Sequence, residues 1–235
     1  MNQQNLFYKI YKAIMGSAFP NFETLLESAV GDAQTLLDVG CGTNSPIQYF
    51  SHRLHATGID LSENAIEASR KKGIHKEYLL VNALELDAVF QPKSFDCVIA
   101  TDLIEHLEKP DGYRLLDSLE RIARKKVIIY TPNGFLKQVP EEVAKNKYQE
   151  HRSGWTPEEF VSRGYGVVGI HGLRSLRGET VNLRFKPWFF WQIISILSRP
   201  YVLHRPQKAL EILCTKNIQD TSKNSNNGSL QQRSG

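Results

Sequence analysis

The chain has 235 residues, 41% of them apolar and 23% charged, and a net charge of +4. This is ordinary for a soluble globular protein with a sizeable core, and the charge excess alone makes no case for nucleic acid. No apolar run approaches the ~20 residues that span a bilayer.

In chain order, residues 3–15 place Leu6, Ile10 and Ile14 at helical spacing. That N-terminus is too broken by charge to be a signal peptide. FETLLESAV, 22–30, reads as a second helix ended near Gly31. Together the two suggest a helical cap over 1–33. Strand and helix signals then alternate. TLLDV (35–39) has the character of a buried strand, and SPIQYFSHRL (45–54) reads as a helix with Ser45 as N-cap and Pro46 in its first turn. HATGID (55–60) is a short strand, and LSENAIEASRKKG (61–73) a helix capped by Ser62 and stopped by Gly73. EYLLVN (77–82), FDCVIAT (95–101) and KVIIYTP (126–132) read as strands, with helical segments before the last. Such alternation predicts a mainly parallel sheet with helices on both faces.

Further on, YGVVGIHGL (165–173) and ALEILCTKN (209–217) read as strands around an insertion at about 174–207, rich in basic and aromatic residues. The tail, 218–235, is polar and is expected to be disordered. Cys41, Cys97 and Cys214 are far apart and lack metal-ligand spacing, which suits a reduced, cytosolic compartment.

LLDVGCGTNSP, 36–46, joins a strand to a turn with two glycines, Gly40 and Gly42. Missing side chains there let a ligand approach bare backbone N–H groups. Asn44 is expected to tolerate left-handed backbone angles in that turn. Asp60 ends the next strand, 20 residues after Gly40, where a carboxylate can accept hydrogen bonds from both ribose hydroxyls. The third glycine of a dinucleotide turn is absent, Ser45 standing in its place. Asp38 before the glycines would repel a pyrophosphate and suits an ammonium. Both features point from a nicotinamide cofactor towards S-adenosylmethionine.

At these residues the sequence resembles the class I S-adenosylmethionine-dependent methyltransferases. LLDVGCGT is similar to their first motif and GIDLSENAIEASR to their second-strand signature. VNAL, FDCVIATDLIEHLEKPDG, VIIYTPNG and WTPEEF follow in the family's order. The resemblance covers roughly residues 34–172. It implies a Rossmann-like α/β three-layer sandwich over 34–217, with a seven-stranded, mostly parallel sheet and an antiparallel last strand. It also implies S-adenosylmethionine as cofactor. Asp38, Gly40, Cys41, Gly42, Thr101 and Asp102 would lie round its methionine and turn-facing parts, Asp60 at the ribose, and Leu61, Asn82 and Ala83 at the adenine. Asn82 stands where the family often has aspartate; its carbonyl oxygen can accept from the adenine amino group, or it closes a turn.

For the acceptor, Glu105, His106 and His151 are the candidate catalytic residues. Quinone-ring O-methyltransferases carry a similar Glu-His pair after the fourth strand. Small-RNA 2′-O-methyltransferases carry E-x-x-E-H and a histidine four residues before a tryptophan, together binding a divalent metal. Asp102, Glu105, His106 and His151 are the equivalent set here, although I-E-H-L also occurs in metal-free members and no metal is the primary expectation. Asp102 and His106 are expected on one face of a helix. In 186–200, Phe190, Ile193, Ile194 and Leu197 share one helical face and Gln192, Ser195 and Arg199 another. Packing over the sheet, a lipid-like or peripheral membrane contact and a dimer contact all fit that pattern. The expected activity is methyl transfer to a small or lipophilic acceptor, at oxygen. A metal-assisted RNA 2′-O-methyltransferase and a non-catalytic partner domain are the alternatives. Nucleic acid is not the expected partner.

Overall fold

The computed structural model describes residues 21–138 and 149–218. The helix expected over 3–15 and the tail beyond 218 lie outside the described residues. Among the described residues seven strands form one sheet: β1 (Thr35–Val39), β2 (His55–Asp60), β3 (Glu77–Leu80), β4 (Phe95–Thr101), β5 (Ala123–Pro132), β6 (Gly166–Leu173) and β7 (Ala209–Asn217). Their order is β3-β2-β1-β4-β5-β7-β6. Only β7 runs antiparallel to its neighbours. The strand order reverses between β1 and β4, so their carboxyl ends form the crevice where open sheets of this kind take ligands.

Around the sheet lie α1 (Phe22–Val30), α2 (Glu63–Lys72), α3 (Leu86–Val89), α4 (Lys109–Ile122), α5 (Pro157–Ser162), α6 (Trp188–Leu197) and α7 (Arg199–Leu203). Period-two alternation divides the core. Along β4, Val98 and Ala100 join one cluster with Leu115, Leu116 and Leu119 of α4. Cys97 and Ile99 join the other with Leu26 and Val30 of α1. The result is the expected three-layer arrangement. Among the described residues no helix is long and apolar enough to cross a membrane.

Local signals explain most boundaries. Ser62 accepts the Ala65 N–H and Gly73 ends α2 in the left-handed region. Thr156 and Glu159 form a capping box on α5. The helix expected over 45–54 is instead two 3-10 turns, Pro46–Tyr49 and Ser51–Arg53. Three residues per turn bring Ile47 and Phe50 onto one buried side. β3 ends at Leu80 rather than Asn82, because Asn82 turns the chain through its contact with the Leu84 N–H. Asn44 does not use the left-handed angles that it would tolerate. Its carbonyl oxygen accepts from Lys72 Nζ at 3.0 Å and Gln48 Nε2 at 3.2 Å instead.

α6 reverses one pattern. Packing of its apolar face on the protein would bury Phe190, Ile193 and Leu197, yet these are exposed and polar Ser195 is buried. Ser195 is held inward by the Arg177 guanidinium and the His171 carbonyl. A Cβ on Gly172 would lie 2.3 Å from the Ser195 carbonyl oxygen, so backbone meets backbone there.

Candidate active site

The glycine turn is open where a ligand needs it. Gly40 and Gly42 have φ of 71° and 57°. A Cβ on Gly40 would lie 2.9 Å from Leu103, whereas one on Gly42 would meet nothing within 4 Å. The Cys41 N–H donates to the Ile59 carbonyl at 2.9 Å and ties the turn to β2. The Cys41 thiol is buried, and burial together with Asp38 and Asp60 raises its pKa, so it stays a neutral packing group.

Asp60 accepts the Gly42 N–H through Oδ2 at 2.9 Å and the Ser62 N–H through Oδ1 at 2.8 Å. A carboxylate has about four lone-pair positions, so two remain for a pair of ribose hydroxyls. Leu61 beside it is half exposed. Across the crevice, Thr101 is buried at the end of β4, and the Asp102 N–H donates to the Tyr130 carbonyl at 3.0 Å. Ala83 is partly buried. Asn82 Oδ1 accepts the Leu84 N–H at 3.0 Å, which leaves one lone pair on that oxygen.

Asp38 is fully buried. Its Oδ2 accepts from the Ser45 hydroxyl at 2.5 Å and contacts His75 Nε2 at 2.8 Å. Only Oδ1 remains for an ammonium, and it is buried with no partner among the described residues. A buried polar atom of this kind calls for a ligand or a water. The donors and acceptors round this crevice therefore fit S-adenosylmethionine. His75 was not singled out from the sequence. Its signal is Gly58 inside β2, where a Cβ would lie 2.9 Å from the His75 ring.

Glu105 and His106 lie in a 3-10 turn, Ile104–His106, and not on a helix. Asp102 has a φ of 49°, so the expected helical face shared with His106 does not form. The Glu105 carbonyl accepts the Arg152 and Ser153 N–H groups at 2.8 and 3.0 Å. Buried Trp155 anchors the same segment, its indole N–H reaching Ser153 Oγ at 2.9 Å. His151 is thereby brought beside His106, ring centroids 5.0 Å apart. One ligand atom from each of Glu105, His106 and His151 falls within 4.8 Å of the others. Asp102 is outside that group, so three of the four candidate ligands meet.

Glu105 is buried, with Oε2 accepting the Thr131 hydroxyl at 2.9 Å and Oε1 without a partner among the described residues. Burial, then the charge of Asp102, pushes its carboxyl well above the ordinary range. Burial also lowers the His106 imidazole, as does His151 beside it. His106 Nδ1 lies 3.1 Å from the Glu150 carbonyl and His151 Nδ1 lies 2.7 Å from that of Leu136. A carbonyl only accepts, so each Nδ1 carries the proton and each Nε2 is the ring's basic nitrogen. Crowding by protein, then the charge of Glu211, pushes the Asp102 carboxyl up to about 7. Solvent nonetheless reaches Asp102, and that argues for a smaller displacement.

A second polar cluster went unread in the sequence. Tyr130 Oη donates to Glu211 Oε2 at 2.5 Å and lies 3.0 Å from His171 Nδ1, which also contacts Glu211. Burial would raise Glu211, but hydrogen bonds from His171 and Tyr130 hold it below the ordinary value. The three come from β5, β6 and β7; His171 is the one polar side chain of β6, which is the available signal.

A seven-stranded sheet of this order, with a glycine turn and a strand-end carboxylate at its switch point, is the class I methyltransferase fold. A family model described as a methyltransferase domain matches residues 37–131. A phosphatidylethanolamine N-methyltransferase of Cereibacter sphaeroides is 30% identical over 137 residues, 54% of this chain and 66% of the relative. A ubiquinone biosynthesis O-methyltransferase of Azoarcus sp. (strain BH72) is 35% identical over 82 residues, 33% of this chain and 35% of the relative. The chain thus spans about two thirds or less of the length of these curated relatives. The solved SAM-dependent methyltransferase from Archaeoglobus fulgidus shares the fold, with a TM-score of 0.54 at 14% identity over 90% of this chain and 99% of that one. Residues 37–131 thus carry a methyltransferase domain, on a fold shared with S-adenosylmethionine-dependent methyltransferases.

Proposed function

We propose that this chain moves the methyl group of S-adenosylmethionine to an oxygen on a small, lipophilic acceptor. The observation that carries the cofactor is Asp60, fixed by two backbone N–H groups beside the open face of Gly42 with acceptor capacity to spare. When bound, that cofactor supplies a methyl group already activated on a sulfonium. Asp60 would hold the ribose, Leu61, Asn82 and Ala83 the adenine, and Asp38, Thr101 and Asp102 the methionine end. The protein then has to align the acceptor, exclude water and take one proton. His106 suits the last task. Its lowered pKa keeps Nε2 unprotonated near neutral pH. Glu105, kept protonated by burial, orients its neighbours and is not the base.

Relatives named for phosphatidylethanolamine and for ubiquinone biosynthesis support a lipophilic acceptor, and their names divide between N- and O-methylation. A labelled-methyl assay on a cell extract, with mass spectrometry of the product, tests acceptor and atom together. Calorimetry showing no S-adenosylmethionine binding would leave a non-catalytic partner domain.

The Glu105–His106–His151 cluster favours a second reading, a metal-assisted RNA 2′-O-methyltransferase. Ligating histidines commonly donate their second ring N–H to a carbonyl, as His106 and His151 do here. A divalent ion held there would lower the pKa of an acceptor hydroxyl. Elemental analysis without metal and activity indifferent to chelator would remove it.

A further inference from the structure

Next to residues 135–137, where the Leu136 carbonyl meets His151, lies an open depression of about 630 Å³. Lys137, Arg174, Arg177 and Arg184 line it with Phe135, against one acid, Glu179. Glu179 lies 3.7 Å from Lys137 and the charge of Glu211 acts on Arg177, which leaves Arg174 and Arg184 facing no carboxylate of the lining. Arg174 Nη2 donates to the Phe135 carbonyl at 2.9 Å, but its Nη1 is buried without a partner among the described residues. Arg177 donates from Nη1 to the Val181 carbonyl and from Nη2 to Ser195 Oγ, while its Nε is likewise buried and unpartnered. Three arginines and a lysine lining one pocket against a single acid suit an anionic ligand. A phosphate group matches the planar fork of several arginines best.

The same wall continues into α6, because Ser195, the partner of Arg177, is that helix's buried residue. On its other side α6 shows solvent Trp188, Phe189, Phe190, Ile193 and Leu197, with Phe189 71% exposed. Lys186 Nζ sits 5.2 Å from the Trp188 ring and Arg205 5.1 Å from that of Tyr201, so cations rim the apolar face. Residues 174–208 carry seven Lys and Arg and a single Glu, more net positive charge than the whole chain's +4. An aromatic, apolar face with a basic rim is the character of a helix lying in an anionic lipid surface.

We propose that the pocket binds a phosphate ester, supplied by the headgroup of an anionic phospholipid, while α6 lays its exposed face in the same lipid layer. This rests on the lipophilic-acceptor reading and places the protein at the surface where such acceptors reside. The arginine pocket sets the register and the aromatics supply depth.

The test is co-sedimentation of the full chain with vesicles of phosphatidylcholine alone or mixed with phosphatidylglycerol, alongside calorimetry with inorganic phosphate. The mixed vesicles should bind about tenfold or more tightly, and less so at high salt. Phe189→Ser and Arg184→Gln, both on exposed side chains, should each lose most of that binding and leave S-adenosylmethionine affinity unchanged. Arg174→Gln with Arg177→Gln should abolish phosphate binding; circular dichroism checks its fold, and Lys137→Gln with Arg184→Gln replaces it if folding fails. Failure to bind either vesicle, or equal binding by the variants, overturns the proposal. Binding of inorganic phosphate without vesicle binding overturns the lipid source. Self-association abolished by Phe189→Ser, with no vesicle binding, assigns the face to a second copy and overturns it too. Loss of S-adenosylmethionine binding in the native chain would instead sink the methyltransferase reading.

Discussion

Asp60 and Gly42 are joined by a 2.9 Å hydrogen bond from the glycine N–H to Oδ2 of the carboxylate. The group expected to hold the ribose is therefore also the group that shapes the turn beneath the cofactor. Asp60→Ala removes both roles. Hydrogen bonds to a charged group contribute about 1.5–3 kcal/mol each, so S-adenosylmethionine affinity should fall by at least about tenfold. Calorimetry measures this directly. Unchanged affinity in a folded variant would end the ribose assignment.

The Asp38–His75 pair lies beneath the same turn, 2.8 Å apart with both side chains inaccessible to solvent. His75→Leu would strand the Asp38 carboxylate with Ser45 as its only hydrogen-bond partner. Leaving a buried polar group short of a hydrogen bond costs about 1–3 kcal/mol, and more for a charged one. Urea unfolding should show a loss of this size, and a loss below about 1 kcal/mol would mean that the pair is not a structural tie. His75→Gln, which keeps a donor, should cost less.

Most of the sheet was legible because each strand announces itself by an apolar run and a following breaker. TLLDV, HATGID, FDCVIAT and ALEILCTKN occupy the residues expected of them. The turn after β1 was legible in its glycines and not in Asn44, since a side chain that reaches 28 residues along the chain to Lys72 leaves no local signal. Asp102, Glu105 and His106 were legible as a group, but helical spacing was the wrong geometry for them. The left-handed residue 102 and the 3-10 turn depend on burying Ile104 and Glu105 under the 150–155 segment. Tyr130, His171 and Glu211 converge only through the register of β5, β7 and β6, and no spacing along one strand encodes that.

The positioning of His151 depends on a contact of no chemical interest. A Cβ on Gly112 of α4 would lie 2.3 Å from Trp155 Cζ2, and Trp155 is the buried anchor of the segment that carries His151. The indole also takes the Lys109 ammonium at 3.7 Å from its ring centre. Gly112→Ala forces the ring or the helix to move. Overpacking of this kind costs about 1–3 kcal/mol. Thermal unfolding should register it, and S-adenosylmethionine affinity should hardly change because the glycine turn is on other elements. A variant as stable as the native chain would show that the tryptophan has room to yield.

Glu105 makes stability depend on pH in a definite direction. Its folded pKa is raised well above the ordinary 4.5 by burial, then by Asp102. Between those two values the folded state keeps a proton that the unfolded chain has released. Stability therefore falls as pH rises from about 4.5 upward, by about 1.4 kcal/mol per pH unit, until the folded carboxyl ionises. Glu105→Gln cannot ionise and can still accept the Thr131 hydroxyl. Melting curves of the two proteins, taken with chelator from about pH 5 to pH 8, should diverge, the variant gaining on the native chain as pH rises. A divalent ion seated between Glu105, His106 and His151 would oppose that trend by stabilising the carboxylate, so adding Mn²⁺ should narrow the gap. Parallel curves with and without metal would show that Glu105 is ionised in the native protein at no cost, and its role as a buried proton holder would fall.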